Sequence, residues 1–126
     1  MKLLIDTHVL IWWWTDVDRL SPSARGFLGD IDVKIYVSAV SAYEIEFKRR
    51  RDPLLQRLPA DLLTAATAAG FLWRDVNPAD AVVAGRLPTH HRDPWDRLIV
   101  AQAINDKAPI LSIDGALGAY DVPIHW

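Results

Sequence analysis

Short apolar runs and longer stretches with helical spacing alternate along the chain, and this alternation predicts strands and helices in turn. The apolar or β-branched runs predict strands at residues 2–5, 33–37, 71–76, 109–113 and 122–126. Helices are predicted at residues 7–14, 22–28, from Ser38 or Ser41 to about 50, 59–69, 78–86 and 94–105. The alternation indicates an α/β fold of three layers (α/β/α), with a mostly parallel central sheet of four to five strands.

Three of the predicted helices begin with a capping residue followed by proline. The pairs are Ser21-Pro22, Asn77-Pro78 and Asp93-Pro94. Such residues accept hydrogen bonds from the first free amides of a helix, and proline suits its first position. Gly70 is placed to end the helix before it.

Composition restricts the class of protein. A chain of 126 residues with 51% hydrophobic and 24% charged residues predicts one globular domain over residues 1–126. No apolar run approaches the ~18 residues of a membrane span, so no membrane partner is expected. With no cysteine, a metal would need oxygen or imidazole ligands, and a cytoplasmic location is compatible. The net charge of −2 creates no global basic field, so any nucleic-acid function must depend on local features.

Two acids follow predicted strands directly. Asp6 comes after the strand at 2–5, and Asp114 comes after the strand at 109–113. In parallel sheets the functional groove lies outside the carboxyl ends of the strands, so both carboxylates are expected in one groove. The alternative is that each is an ordinary turn or capping residue.

Glu44 is a third candidate, within the first turns of a helix that otherwise looks packed. Two alternatives compete with a functional role. The residue could be a solvated acid favoured by the helix dipole, or it could pair with Lys48 four residues later.

Asp93 and Asp96 lie at the start of the helix that Pro94 opens. Both fit a helix N-terminus, Asp93 as the cap and Asp96 at the third position. Residues three apart share a helix face, so Asp96 is also well placed to join the acids at the strand ends. Asp93 is favoured as a cap over a ligand.

Acids gathered in this way suit a divalent cation. Mg²⁺ and Mn²⁺ prefer carboxylate oxygens and water, and a bound cation relieves the mutual repulsion of the acids. It also lowers the pKa of water and offsets charge on phosphoryl oxygens. Nucleases and phosphatases share this arrangement.

Three segments of the sequence resemble the PIN-domain proteins, and within them the VapC-type toxins of bacterial toxin–antitoxin pairs. They are residues 3–13 (LLIDTHVLIWW), residues 90–103 (HHRDPWDRLIVAQA), and residues 110–114 (ILSID) with 120–124 (YDVPI). The resemblance covers nearly the whole chain in the right order. His8 stands where many relatives carry Asn, and Trp95 where Phe is frequent; neither departure removes an acid.

The resemblance implies an endoribonuclease that hydrolyses RNA phosphodiester bonds with Mg²⁺ or Mn²⁺. It also implies a homodimer, neutralised by a VapB-like antitoxin whose tail covers the groove. The implied metal-binding and catalytic residues are Asp6, Glu44, Asp96 and Asp114, with Asp93 as a weaker ligand. The implied substrate or supporting residues are Thr7, Arg92, Arg97 and Ser112.

Roles can be named for three of these four residues. The Ser112 hydroxyl would steady the metal shell. Arg92 and Arg97 flank the proposed site and suit phosphate, and Arg97 could instead pair with a neighbouring acid.

The other candidates are less specific. The basic run at residues 48–51 could track phosphates, receive an acidic antitoxin, or simply end a solvated helix. The three tryptophans at residues 12–14 cannot all face one way, so we expect one or two in the core or at an interface rather than a base-stacking site. His90 and His91 are interpreted as loop residues.

If water rather than the RNA 2′-hydroxyl attacks, the products carry 5′-phosphate and 3′-hydroxyl ends. Accessible single-stranded loops are the expected cleavage sites. One rival is a phosphate-handling α/β enzyme with a phosphoacceptor such as Asp75, but none of the four lysines is well placed beside it. The other rival is a catalytically inactive PIN-like binding module, which predicts no stabilisation by metal.

Overall fold

A computed structural model describes residues 1–90 and 93–126, and its centre is a five-stranded, all-parallel sheet. The strands are β1 (Lys2–Ile5), β2 (Lys34–Ser38), β3 (Leu72–Arg74), β4 (Ile110–Leu111) and β5 (Ile124–His125). Their order across the sheet is β3-β2-β1-β4-β5, so β1 is central. The predicted fold class is confirmed.

In the described part of the chain, six α-helices connect and cover the strands. They are α1 (Thr7–Thr15), α2 (Pro22–Gly29), α3 (Ala39–Arg49), α4 (Leu62–Ala68), α5 (Pro78–Arg86) and α6 (Pro94–Asp106). The three predicted helix starts with a capping residue and proline are confirmed. The side chains of Ser21, Asn77 and Asp93 each accept a hydrogen bond from a backbone amide. Asn77 also forms a reciprocal capping box with Asp80.

Alternate residues of β1 supply two separate cores, one on each face of the sheet. Leu3 and Ile5 pack with Leu10 of α1 in one cluster. Leu4 packs with Ile99 of α6 in the other. Helices therefore cover both faces of β1, which agrees with the apolar run at residues 3–5, and the molecule has three layers.

The structure differs from the predicted elements mainly at their ends. The helix predicted from residue 59 begins at Leu62, because Asp61 caps it by accepting the Thr64 amide at 3.1 Å and the Thr64 hydroxyl at 2.8 Å. Gly70 does follow that helix, with a φ of 85° that favours glycine. Three short 3-10 turns were not predicted: Val17–Arg19, Leu55–Arg57 and Gly115–Tyr120.

All three consecutive tryptophans are half-buried against the core beneath α1, so none is left fully exposed. Trp12 meets Trp126 edge-on at 6.1 Å, and Trp13 lies 5.8 Å from Phe71. The expectation of packing rather than base stacking is confirmed. None of the described helices combines the length and apolar character that a membrane-spanning helix needs.

A buried ionic network fastens β3 to α5 and α6. Arg74 donates to both oxygens of Asp80 at 2.8 and 2.9 Å, and to Asp106 at 2.8 and 3.1 Å. Asn105 also donates to Asp80, which is fully buried. This network fixes the end of α6 opposite to the one that carries Asp96.

Candidate active site

Asp6 and Ser112 lie side by side at the carboxyl edge of the sheet. β1 and β4 are parallel neighbours, and the Asp6 amide donates to the Leu111 carbonyl at 3.1 Å. Asp6 is only 5% exposed, and its Oδ2 accepts a 2.7 Å hydrogen bond from the Ser112 hydroxyl. Its Oδ1 accepts the His8 amide at 3.4 Å and so caps α1. Both oxygens of this carboxylate are therefore oriented by the fold.

Asp114 is positioned by the same serine. The Ser112 oxygen accepts the Asp114 amide at 3.0 Å, and Oδ1 of Asp114 accepts the Ala116 amide at 3.0 Å. The structure thus brings Asp6 and Asp114 to one edge, as the parallel arrangement predicts. Each acid also caps a helical turn, so the structural alternative is correct as well and does not conflict with a site.

Glu44 enters from α3 and is held by a lysine. Its carboxylate is buried, and Lys48 donates to Oε2 at 2.6 Å, one helical turn away. The predicted i,i+4 ion pair is therefore present. α3 is fastened beside α1 by a 2.8 Å hydrogen bond between the hydroxyls of Thr7 and Ser41, both buried.

The start of α6 brings two more acids towards Lys48. Asp93 and Asp96 are half-buried, and Asp93 caps the helix by accepting the Trp95 amide at 2.9 Å. The hydrogen bond to Glu44, together with the negative charges of Glu44, Asp93 and Asp96, raises the pKa of Lys48 above its ordinary 10.5. The Lys48 ammonium therefore pairs with Glu44 and also feels the negative charge of the two acids at the start of α6.

The donor chemistry of these residues fits a hard divalent cation. All the candidate ligands are carboxylates, and two of them, Asp6 and Glu44, are buried where water competes least. Within residues 1–90 and 93–126, however, no three acids or histidines stand close enough together to hold a metal as they are. The Lys48 ammonium lies 2.6 Å from Oε2 of Glu44 and would repel a metal ion that approaches the same carboxylate.

Arg97 uses its guanidinium to hold α5. It donates to the carbonyls of Ala84 at 2.8 Å, Leu87 at 3.0 Å and Pro88 at 3.1 Å. These bonds support an anchoring role for Arg97 rather than a phosphate clamp. The other arginine predicted beside the site, Arg92, and its neighbour His91 lie outside the described residues.

Two polar contacts near the site were not predicted. Gln102 is fully buried, bonds the Ser38 hydroxyl at 2.5 Å and donates to the Asp75 carbonyl at 3.0 Å, so it links α6 to the ends of β2 and β3. His8 is exposed, with Nδ1 3.9 Å from Oδ1 of Asp6. A glutamine within the apolar stretch of α6 was the available signal for the first contact.

A cavity of about 360 Å³ opens beside these residues. Its polar lining includes Thr7, His8, Arg19, Glu44, Lys48 and Asp52. Glu44 and Lys48 lie on its wall, so the cavity gives solvent a route to the buried carboxylate.

The comparison with protein families decides the assignment. The sequence pattern of the PIN domain matches residues 3–122. The chain belongs to the PIN-domain family. Asp6, Glu44, Asp96 and Asp114 all lie within the matched part of this PIN domain.

Similar proteins support the family and the fold. The PIN domain is 28% identical over 122 residues to Ribonuclease VapC22 of Mycobacterium tuberculosis (strain ATCC 25618 / H37Rv), covering 96% of this chain and 93% of that protein. Its fold matches a chain of VapBC2 from Rickettsia felis, solved with a DNA fragment of the promoter, with a TM-score of 0.75 at 14% identity, covering 100% and 99% of the two chains. A chain of DNA-bound VapBC from Salmonella typhimurium matches with a TM-score of 0.73 at 13% identity, covering 99% and 97%.

Proposed function

We propose that this PIN domain is an endoribonuclease toxin that hydrolyses RNA phosphodiester bonds and is neutralised by a VapB-like antitoxin. The observation that carries the proposal is the placement of Asp6 and Asp114 on one serine at the carboxyl edge of the sheet, beside the helices that carry Glu44 and Asp96. Ser112 joins Asp6 to Asp114, and Lys48 is influenced by Glu44, Asp93 and Asp96 together. The name of the similar Ribonuclease VapC22 supports RNA as the substrate.

The residues that would hold the cation are Asp6, Glu44, Asp96 and Asp114, with Asp93 as a weaker contributor. Mg²⁺ is the proposed ion and Mn²⁺ the second choice, since both accept carboxylate oxygens. When bound, such an ion lowers the pKa of water and offsets charge on the phosphoryl oxygens.

The protein's own residues prepare the site for that ion. Ser112 keeps Oδ2 of Asp6 in one direction, and the Asp6 amide bond to Leu111 fixes the backbone beneath it. The Thr7–Ser41 hydroxyl pair keeps α3, and with it Glu44, against α1. Supporting bonds of this kind typically change metal affinity or activity about 10–100-fold when they are lost.

Lys48 has two tasks in this proposal. Without metal it compensates the buried charge of Glu44, which would otherwise be left unpaired at a cost. With a metal ion on Glu44, this 48% exposed side chain would be free to turn towards solvent, where its ammonium would be available to a substrate phosphate.

The partners follow from the relatives. The similar folds come from structures described as VapBC2 and VapBC bound to DNA, and a FitAcB structure from Neisseria gonorrhoeae matches with a TM-score of 0.65 at 16% identity. We propose a cognate antitoxin, a homodimer and a cytoplasmic location for this chain. The assignment of residues 1–126 to one PIN domain is part of the same proposal.

The proposal is tested by incubating the purified protein with a mixed RNA pool, once with Mg²⁺ and once with EDTA. Cleavage with Mg²⁺ alone is the expected result. The rival is a catalytically inactive binding module. It predicts no cleavage in either case and no rise in melting temperature when Mg²⁺ is added.

A further inference from the structure

Three aromatic side chains form an exposed cluster between α3 and α6. Tyr43 and Phe47 are one helical turn apart on α3, with ring centroids 6.1 Å apart and planes inclined by only 15°. Trp95 of α6 lies 4.9 Å from Tyr43 and 6.2 Å from Phe47. Tyr43 is 58% exposed and Phe47 65% exposed, so large ring surfaces face solvent. We call these three residues the aromatic cluster.

The aromatic cluster adjoins the proposed catalytic acids. Tyr43 immediately precedes Glu44, and Trp95 immediately precedes Asp96. The helices that deliver the two acids therefore also deliver the rings. An RNA bound on the rings would therefore lie beside the two helices that carry these carboxylates.

The charges around the aromatic cluster favour a polyanion. Tyr43 and Phe47 line a depression of about 740 Å³ together with Arg50 and Arg51. Both arginines are exposed, and within the described part of the chain neither forms an ion pair.

The two acids in the same depression offset only part of this charge. Glu46 lies 3.6 Å from Nε of Arg49, whereas Asp52 accepts the Leu54 amide at 3.0 Å and keeps its negative charge. Arg50 and Arg51 together outweigh Asp52, so the net charge left on this wall is positive.

From this arrangement we infer that the aromatic cluster and the two arginines form a binding track for a single-stranded RNA segment. Bases stack on Tyr43 and Phe47, and phosphates contact Arg50 and Arg51. Proteins that bind single strands combine a basic groove with exposed rings in this way, because every base offers a π-face. The inference rests on the proposed ribonuclease function and adds how that site holds its substrate.

An interface with a second copy of the chain is the competing use of the aromatic cluster. Aromatic residues and arginine are enriched in such interfaces as well, so composition alone does not separate the two uses. A nucleic acid is favoured because the depression carries Arg50 and Arg51 beside the rings and because the cluster adjoins the segments that carry Glu44 and Asp96.

The test is RNA binding measured by fluorescence anisotropy, on an Asp6→Asn background so that cleavage does not interfere. The probe is a labelled, unstructured single-stranded RNA of mixed sequence. We expect Tyr43→Ala and Phe47→Ala each to weaken binding about tenfold, within the range typical of base–aromatic stacking. Phe47→Leu should weaken it similarly and Phe47→Trp should not, while Val82→Ala, an exposed apolar control on α5, should leave binding unchanged.

Two further measurements separate the explanations. Double substitution of Arg50 and Arg51 by Ala should reduce the slope of log K against log salt by about 1.4, since each lost phosphate contact on a single strand removes about 0.7. On RNA made abasic throughout, the Phe47→Ala effect should disappear, because no base remains to stack.

The proposal is overturned if Phe47→Leu binds RNA as well as the parent, or if the Phe47→Ala effect persists on abasic RNA. It is also overturned if the ring variants change the sedimentation of the protein from dimer to monomer and leave RNA affinity unchanged. Binding that depends on the rings, in a wild-type protein that cleaves no RNA, would support this track and reject the ribonuclease function. If the wild type cleaves RNA and the ring variants bind RNA normally, the ribonuclease function is supported and this binding track is rejected.

Discussion

The ammonium nitrogen of Lys48 lies 2.6 Å from Oε2 of Glu44, and the two residues share one face of α3. The glutamate side chain is 8% exposed and the lysine side chain 48% exposed, so a mobile cation covers a buried anion. Two cations on one carboxylate repel each other, so this ammonium disfavours a divalent ion at Glu44. Metal binding in the proposed site is therefore a competition with Lys48.

Replacing Lys48 by methionine tests this competition. Without metal, Glu44 loses its partner, and we expect the free energy of unfolding to fall by about 1 kcal/mol, since one partner of the pair is solvent-screened. Added Mg²⁺ should raise the melting temperature of the variant by more than it raises that of the wild type. Differential scanning fluorimetry across a Mg²⁺ titration measures both effects.

The control is Lys34→Met, at an exposed position on β2. An equal Mg²⁺-induced shift in wild type and Lys48→Met would contradict the competition. Because the pKa of Lys48 is raised above 10.5, its contribution to stability is complete below that value and is lost only as pH rises past the folded pKa. The difference between the two proteins should therefore stay constant through the neutral range.

Ser112→Ala should remove the hydrogen bonds that orient Asp6 and Asp114 and leave the charges of both acids in place. The serine hydroxyl is a hydrogen-bond partner that Asp6 and the Asp114 backbone share. We expect Mg²⁺ affinity or cleavage rate to fall about 10–100-fold, with a loss of only about 1–2 kcal/mol in stability. Mg²⁺ titration by calorimetry measures the affinity, and Ser23→Ala in the exposed face of α2 is the control. Unchanged affinity would remove Ser112 from the site.

Asp80→Asn should destabilise the protein in a pH-dependent way and leave the proposed catalytic acids unchanged. Burial disfavours the charge of Asp80, but hydrogen bonds from Arg74, Asn77 and Asn105 outweigh it and lower its pKa below 3.8. The ionised form therefore stabilises the fold above that value, and this contribution is lost as pH falls through the folded pKa. At neutral pH we expect a loss of about 3 kcal/mol.

Urea unfolding at pH 7 and at lower pH measures this effect. The stabilities of wild type and Asp80→Asn should converge as the wild-type carboxyl is protonated. Curves that stay parallel down to the acid range would show that the Arg74 network does not depend on the charge of Asp80.

Arg97→Lys distinguishes an anchor from a phosphate clamp. A lysine keeps the charge but cannot reach the carbonyls of Ala84, Leu87 and Pro88 together. We expect the melting temperature to fall by several degrees, while the KM for RNA of the folded protein stays the same. A raised KM at an unchanged melting temperature would instead favour phosphate binding.

The order of elements and the position of the acids at strand ends could be predicted from sequence, because both depend on local patterns and on the geometry of parallel sheets. Asp6 and Asp114 follow that rule, and both also serve as caps. The contacts of Gln102 and Ser112 join residues 64 and 106 positions away along the chain, and no local pattern specifies such partners.

The aromatic cluster was missed for the same reason. Tyr43 and Phe47 are visible as a helical pair, but Trp95 reaches them only through the packing of α3 on α6. Strand ends were also overpredicted, since β4 and β5 have two residues each where longer apolar runs stand in the sequence. The backbone turns early there to present Ser112 and Asp114.

The central claim is that water attacks the RNA phosphodiester at the proposed acidic site. One cleavage assay on end-labelled RNA tests it most directly. Wild type, Asp6→Asn and the exposed-acid control Asp30→Asn are compared with Mg²⁺ on the same single-stranded RNA. The account predicts that wild type and Asp30→Asn produce fragments with 5′-phosphate and 3′-hydroxyl ends, and that Asp6→Asn is folded and inactive. Fragments with 2′,3′-cyclic phosphate ends, or full activity in folded Asp6→Asn, would contradict it.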